Sequence, residues 1–288
     1  MEYTTVRIGH MEVNYGDAHF RRTDNGNAMY NPFVGNYIMD AFNTEIGAEV
    51  IVQTPGGFLS SLSVTGGEIK GDVTETTSPE VDDKAARSPS IIGKLGFDKQ
   101  MNDDLRLRVT GSVYTTPSSS RNFLYQGDRG GSRYYLVMEN TEASVSSNFT
   151  SGRYSPLFMD KVTAMMGNVF FKAKGLEVFG TYENANGRMN FEEDTRNATQ
   201  LAAEALYRFG KDENVYIGAR YNTVTAESLG SGQEVTIDRV QLGAGWFITS
   251  NILLKGEYVN QNYSDFPQTD IRHEGNFNGF MLEAAIGF

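Results

Sequence analysis

The feature that most constrains this chain is a period-two alternation, sustained over segments of roughly ten to fourteen residues and repeated along the whole sequence. The C-terminus shows it plainly. Phe280, Leu282, Ala284, Ile286 and Phe288 fall on one face of an extended chain, and Met281, Glu283, Ala285 and Gly287 on the other. Between Leu105 and Thr115, Leu107, Val109 and Val113 oppose Arg106, Arg108, Thr110, Ser112 and Tyr114. From Thr199 onward, Leu201, Ala203, Ala205, Tyr207 and Phe209 oppose Gln200, Glu204 and Arg208. Strands with two such faces separate an apolar environment from a polar one, and strands of a soluble sandwich average about half this length.

The alternation predicts strands over Tyr3–Gly16, Ala41–Gln53, Phe58–Gly71, Pro89–Lys99, Leu105–Thr116, Lys161–Ala173, Leu176–Ala185, Asn197–Gly210, Val215–Ala226, Glu234–Ile248, Ile252–Tyr263 and Phe277–Phe288. Short turns at Thr54–Gly57, Met101–Asp104, Lys174–Gly175, Lys211–Asn214 and Thr249–Asn251 alternate with longer connections. The longer ones are Asp17–Asp40, Asp72–Ser88, Ser118–Asp160, Asn186–Asn197, Ser228–Gln233 and Ser264–Asn276. Short turns on one side and long loops on the other are the rhythm of an outer-membrane barrel, with the short turns facing the periplasm. The expectation is an all-β fold: one transmembrane, antiparallel, up-and-down β-barrel domain over residues 1–288. About a dozen strands, an even number, place both ends of the chain on the periplasmic side. The physical basis is that lipid offers no hydrogen bonds, so every backbone N–H and C=O must be paired within the protein, and a closed barrel does this without an edge.

Composition agrees. Mean hydropathy is −0.40, too polar for a helical bundle, and there is no run of eighteen apolar residues for a spanning helix. A barrel tolerates this polarity because half of each strand faces away from lipid. Phe209, Tyr221, Trp246, Tyr258, Phe280 and Phe288 lie on apolar faces, several near strand ends, as interfacial girdles require. With no Cys, disulfides and thiolate chemistry are excluded. A net charge of −11 argues against nucleic acid, which needs a basic surface. The start, Met1-Glu2-Tyr3, lacks a basic n-region and an apolar h-region, so the sequence reads as a mature chain or a fragment.

Three motifs carry a family resemblance. Phe288 preceded by Phe280, Leu282, Ala284 and Ile286 looks like the terminal strand recognised by the barrel-assembly machinery of Gram-negative bacteria. The run Ile8-Gly9-His10-Met11-Glu12-Val13-Asn14-Tyr15-Gly16-Asp17 resembles the "GRQE-x-x-YGD" strand of alginate-export-type porins, with His10 where that family has Arg. The stretch from Asp17 to Phe42 looks like porin-like proteins of Bacteroidetes. The resemblance implies a channel, either for passive or weakly selective diffusion of small hydrophilic solutes or for acidic sugars. A plugged structural or adhesive protein is the alternative.

On this reading the inward residues decide what passes. Alternation assigns the acids Glu12, Glu45, Glu49, Asp98, Glu177, Glu183, Glu204, Glu257 and Glu283 to the interior. It assigns there also the bases Lys94, Arg106, Arg108, Lys172, Arg208, Arg220, Arg239 and Lys255. Opposed charges across a lumen orient polar solutes, or pair across strands and stabilise the wall. The excess of negative charge then sits in loops, notably Glu75, Glu80, Asp82 and Asp83 in the 72–88 loop. The 118–160 loop is long enough to imply a role. Its Arg121, Arg129, Arg133 and Tyr134 are constriction candidates, as are Arg21 and Arg22 of the 17–40 loop, which can constrict, plug or cap the barrel. No enzyme is expected: His10, His19 and His273 are the only histidines, and no G-x-S-x-G, H-E-x-x-H or P-loop is present. No cofactor or metal is expected. Expected partners are outer-membrane lipid, lipopolysaccharide, the assembly machinery and small solutes, and a homo-oligomer is compatible with the pattern.

Overall fold

In a computed structural model, which describes residues 3–17, 28–67, 88–128 and 130–287, the alternation becomes one antiparallel sheet. Its strands are β1 (Thr4–Glu12), β2 (Thr44–Gln53), β3 (Phe58–Thr65), β4 (Ser90–Asn102), β5 (Leu105–Thr116) and β6 (Lys161–Ala173). They continue with β7 (Leu176–Arg188), β8 (Arg196–Phe209), β9 (Val215–Glu227), β10 (Glu234–Thr249), β11 (Ile252–Ser264) and β12 (Asn276–Ile286). Each strand pairs only with its neighbours in sequence, in the order of an up-and-down barrel wall. Among the described residues, the short turns lie at one end of the sheet and the longer connections leave it at the other.

The two faces differ as the sequence requires. Val109, Val169, Leu201, Ile217, Leu242 and Trp246 are exposed on the outer face, an apolar surface of the kind that lipid covers. On the other face Ile92, Tyr114, Phe179, Arg220, Arg239 and Gln261 are almost completely buried. Because side chains alternate strictly, both sets come from the same strands.

β1 and β12 are the edges of the sheet and are not hydrogen-bonded to each other. Their outer residues are the most open: Ile8 is 83% exposed, Phe280 81% and Leu282 87%. In the bilayer each of these edges needs a partner, since unpaired backbone in lipid costs several kcal/mol per group.

The first strand is shorter than the alternation predicts. Pairing with β2 ends at Glu12, after which Val13 to Asp17 bend into the interior and become buried. Gly16 makes the bend: its φ is +66°, and a Cβ there would overlap the side chain of Met166 on β6. The described residues of the 118–160 connection form successive turns and no strand.

Candidate functional site

The interior is not an empty tube. The sheet wraps around two chain segments, residues 13–43 as far as described, and the 118–160 connection. Three levels can be followed along the interior.

At the loop end the level is apolar. Wall residues such as Ile92, Val162, Ala164, Val224 and Ile237 pack with Ile38, Met39, Leu124, Tyr125, Tyr154 and Phe158 of the two segments. The interior at that end is therefore filled by apolar side chains rather than lined by charged ones. The inward parity that carries Arg and Glu lower down carries Val, Ala and Ile here, so the wall and its loops form a dry core.

At the middle level, polar side chains of the wall satisfy the backbone of the inserted segment. Asp17 accepts two hydrogen bonds from Arg108, both 2.7 Å, one from Thr110 (2.7 Å) and an ion pair from Lys94 (3.3 Å). Its own N–H donates to Asn168 (2.9 Å). Glu257 accepts from the N–H groups of Val34 (2.8 Å) and Gly35 (3.2 Å), from Tyr134 Oη (2.6 Å) and from Gln241 (3.1 Å). Arg220 pairs with Glu204 (2.7 Å), donates to the Gly35 carbonyl (3.0 Å) and lies over the rings of Phe33 and Tyr37. Arg239 donates to the carbonyls of Asn36 and Gly152, both at 2.7 Å. Lys255 donates to those of Ala28, Asn31 and Phe33 and pairs with Glu283 at 2.6 Å. Gln200 and Asn222 grip the backbone of Met39 and Ile38. An irregular segment can cross the interior only if its N–H and C=O groups find such partners. Gly35 allows the closest approach, since a Cβ there would overlap Tyr134.

At the turn end the interior is charged and opens to solvent. Arg106 makes two bonds of 3.0 Å to Asp98, which also receives Arg108 at 2.8 Å. Glu177 takes Arg208 (2.6 Å) and Lys172 (3.7 Å), and Lys172 also pairs with Glu213. Arg106 is 46% exposed, whereas Arg220 is 1% exposed.

The inward assignments can now be placed. Lys94, Asp98, Arg106, Arg108, Lys172, Glu177, Glu183, Glu204, Arg208, Arg220, Arg239, Lys255, Glu257 and Glu283 lie on the inner face. Glu45 and Glu49 lie there as well: Glu45 accepts from Tyr114 (2.6 Å) and Asn43 (3.1 Å), and Glu49 from Asn14 (2.8 Å) and Arg7 (3.4 Å). Glu12 is a correction. Residues facing each other across an antiparallel pair share a face. Arg7 and Met11 stand opposite Glu49 and Glu45, so Glu12 and His10 have the outer parity of Val6 and Ile8. The alternation was carried back through a strand whose tail leaves the sheet.

Of the constriction candidates, Tyr134 reaches the middle of the interior. Burial first, then the Glu257 carboxylate, hold its phenol well above the ordinary value, which keeps it a donor. Arg133 donates to the Gly130 carbonyl close by, and Arg121 is exposed, its guanidinium 4.5 Å from the Phe123 ring centre. Arg21, Arg22, Arg129, His19, Phe288 and Glu75 to Asp83 of the acidic loop lie outside the described residues. Of the assembly-signal residues, Phe280, Leu282 and Ile286 are exposed on the outer face of β12. Sequence reasoning missed the neutral polar residues Asn168, Gln200, Asn222, Gln241 and Gln261. Their inward parity was legible, but without charge they carried no signal. Among the described residues, no group of three metal-ligating side chains occurs.

No family model matches this chain, and no curated protein sequence matches it. Solved structures do. OmpT, expressed in the outer membrane of Vibrio cholerae, superposes with a TM-score of 0.52 at 13% identity, over 99% of this chain and 77% of that one. Its in-vitro folded trimer form gives 0.54 at 13% identity, over 99% and 77%. An anion-selective porin from Comamonas acidovorans gives 0.55 at 10% identity, over 98% and 74%. At such identities the likeness is one of fold, and that fold is the porin-like β-barrel. With its apolar outer face, this chain has the fold of a β-barrel that crosses a membrane.

Proposed function

We propose that this protein is a non-enzymatic outer-membrane channel for restricted, weakly selective diffusion of small hydrophilic solutes. The observation that carries this reading is the run of opposed charges on the inner wall at the turn end, where Arg106 and Lys172 reach solvent beside their partners Asp98 and Glu177. A wall built only to hold a plug has no use for unburied charge there, whereas a polar path does. Both signs are present, so selectivity between small ions is weak. Solutes share the interior with the inserted segment and pass beside it or as it shifts. The test is single-channel recording of the full chain in planar bilayers. Discrete conductance steps are expected, and their complete absence over a range of voltages overturns the reading.

A second reading, a plugged structural or adhesive barrel, is favoured by the depth at which Arg239, Gln241 and Gln261 are buried beneath the inserted segments. It predicts a silent protein. An acidic-sugar channel, the finer form suggested by the Ile8–Asp17 run, predicts a reversal potential displaced toward anions. The likeness to a porin described as anion-selective points the same way, and the likeness to a trimer form favours a homo-oligomer. Lipid, lipopolysaccharide and the assembly machinery are its proposed partners, the last through the Phe280, Leu282, Ile286 and Phe288 strand.

A further inference from the structure

The strands are longer than a bilayer needs. A membrane-spanning strand takes about 9–11 residues. Here β8 has 14, β10 has 16, and β6, β7, β9 and β11 have 13 each. At about 3.3 Å per residue and a tilt of about 35–45°, β10 rises roughly 40 Å, against an apolar band of about 25 Å. Part of the wall therefore stands beyond the hydrocarbon, and the outward side chains show which part.

From the turn end, the outward positions of β5 to β12 are apolar or aromatic without exception up to one line, and polar beyond it. On β9, Ile217, Ala219 and Tyr221 are followed by Thr223 and Thr225. On β11, Leu254, Gly256 and Tyr258 are followed by Asn260 and Asn262. The change falls at the same level on neighbouring strands, to within one cross-strand pair. Tyr221 stands opposite Val240 and Tyr258 opposite Phe280; a step further on, Thr223 stands opposite Asp238 and Asn260 opposite Asn278. Tyr182, Tyr221, Tyr258 and Phe280 make a row of rings at this line, and Tyr207, Phe209 and Trp246 make a second row toward the turn end. Such rows mark the two interfaces of a bilayer. The belt between them, from Leu201 to Phe209 on β8, covers about 26 Å along the strand and roughly 20 Å in height.

Beyond the line the wall is inverted. Its outward polar groups bond along the surface: Thr115 with Thr163 (3.0 Å), Asn184 Nδ2 to Thr199 (3.0 Å) and Asn276 Nδ2 to Asn262 (2.6 Å). Behind them the inward positions hold Val162, Ala185, Ala198, Val224, Val235 and Ile237, all almost completely buried. Polar outside and apolar inside is the order of a protein in water. Toward the turn end the order is the reverse. His10 and Glu12 fit the same division, since they lie outward at the loop end of β1, past Val6 and Ile8. In hydrocarbon, the Asp238 carboxylate and the amides of this surface would lose their water. We infer that the bilayer covers the wall only from the turn end to the line of Tyr182, Tyr221 and Tyr258, and that the loop-end part stands in water as a collar with the dry core inside it. The surface that takes hydrocarbon is the lower belt alone. The packing that closes the interior then lies outside the bilayer, beside the aqueous phase. This placement holds whether or not the interior conducts.

The test is spin-label accessibility on the full chain in phosphatidylcholine vesicles. The chain has no Cys, so an introduced cysteine is its only thiol. Labels at Thr225→Cys and Asn262→Cys are compared with labels on the same strands at Ala219→Cys and Leu254→Cys. All four side chains point outward, away from the interior contacts. The colliding probes are oxygen, which enters hydrocarbon, and a charged nickel chelate on both sides of the membrane. Belt labels are expected to collide more with oxygen and collar labels more with the chelate, so the ratio reverses within each strand. Oxygen-dominated collisions at Thr225 and Asn262 overturn the inference, because hydrocarbon then reaches the loop end. Chelate-dominated collisions at Ala219 and Leu254 overturn it as well. A second readout needs no substitution. Trp246, the single tryptophan, is expected to be quenched by lipids brominated along their acyl chains, and unquenched fluorescence overturns the belt.

Discussion

The two ends of the interior are built on the same strands and the same parity, yet they behave as different materials. At the loop end, inward positions hold Val162, Ala164, Ala198 and Val224, sealed under Tyr125, Tyr154 and Phe158. At the turn end, the same faces of β5 to β9 hold paired charges, Arg106, Lys172, Glu177 and Arg208, of which Arg106 and Lys172 reach solvent. Among the described residues, the segments within 13–43 and 118–160, with Phe266 of the 264–276 connection, make the difference, since without them the apolar end would face water. Restriction therefore lies in the inserted segments, and the charged wall is already open. The middle level, where Asp17, Glu257 and Arg220 hold the segment by hydrogen bonds, is the boundary between the two regimes.

The sharpest way to break this contrast is to remove the segment. Replacing residues 31–40 with a Gly/Ser stretch of equal length takes away the side chains of Phe33, Tyr37 and Ile38 and so loosens the backbone that Glu257, Arg239 and Lys255 hold. The expected result is a several-fold rise in single-channel conductance with noisier current. Unchanged conductance would show that the path does not run past the segment.

A smaller effect is expected from loosening the anchor. Asp17→Ala leaves Lys94, 2% exposed, without its ion-pair partner, although Lys94 keeps the Asn14 and Gly16 oxygens and Arg108 keeps Asp98. Breaking a buried ion pair by removing one partner typically costs about 3–5 kcal/mol. The retained contacts place this variant near the lower figure, measured by urea unfolding in micelles, together with more frequent opening events. Smaller again is Tyr134→Phe. It removes one donor of four from Glu257, for a loss of about 1.5 kcal/mol, the low end for hydrogen bonds to charged groups. A variant as stable as the parent would mean that the Tyr134–Glu257 bond adds nothing to the other contacts, such as Arg239 to the Gly152 carbonyl, that hold the 118–160 connection.

The wall was legible in the sequence and its contents were not, for a physical reason. Strand periodicity is a local property, so Arg220, Arg239 and Glu257 could be placed inward from their immediate neighbours. What fills the interior depends on contacts between residues far apart in sequence. Ile38 donates to Asn222 and Val34 to Glu257, and nothing within either stretch reveals its partner. The Tyr15-Gly16-Asp17 run stood out as a motif, but its work as an anchor emerges only when β4, β5 and β6 bring Lys94, Arg108 and Asn168 to it. Glu12, still paired in the ladder, shares the outer face of Val6 and Ile8; it reads as inward only if the apolar Val13 and Tyr15 are taken to face lipid, whereas past the ladder they turn into the interior.

The smallest effect concerns the open end. Arg106→Gln removes a half-exposed charge and leaves Asp98 paired with Arg108. The pore should shift modestly toward cations, read as a displaced reversal potential under a salt gradient. Because Arg106 faces solvent, the shift is a screened Coulomb effect. It should be clear near 0.01 M salt, where the Debye length is about 30 Å, and nearly vanish at 1 M, where it is about 3 Å. The same test at Arg220, which is buried against Glu204 and two rings, should show no such salt dependence, because ions cannot reach it. If both substitutions responded to salt alike, the two ends of the interior would be equally wet, and the loop-end seal could not be the restriction.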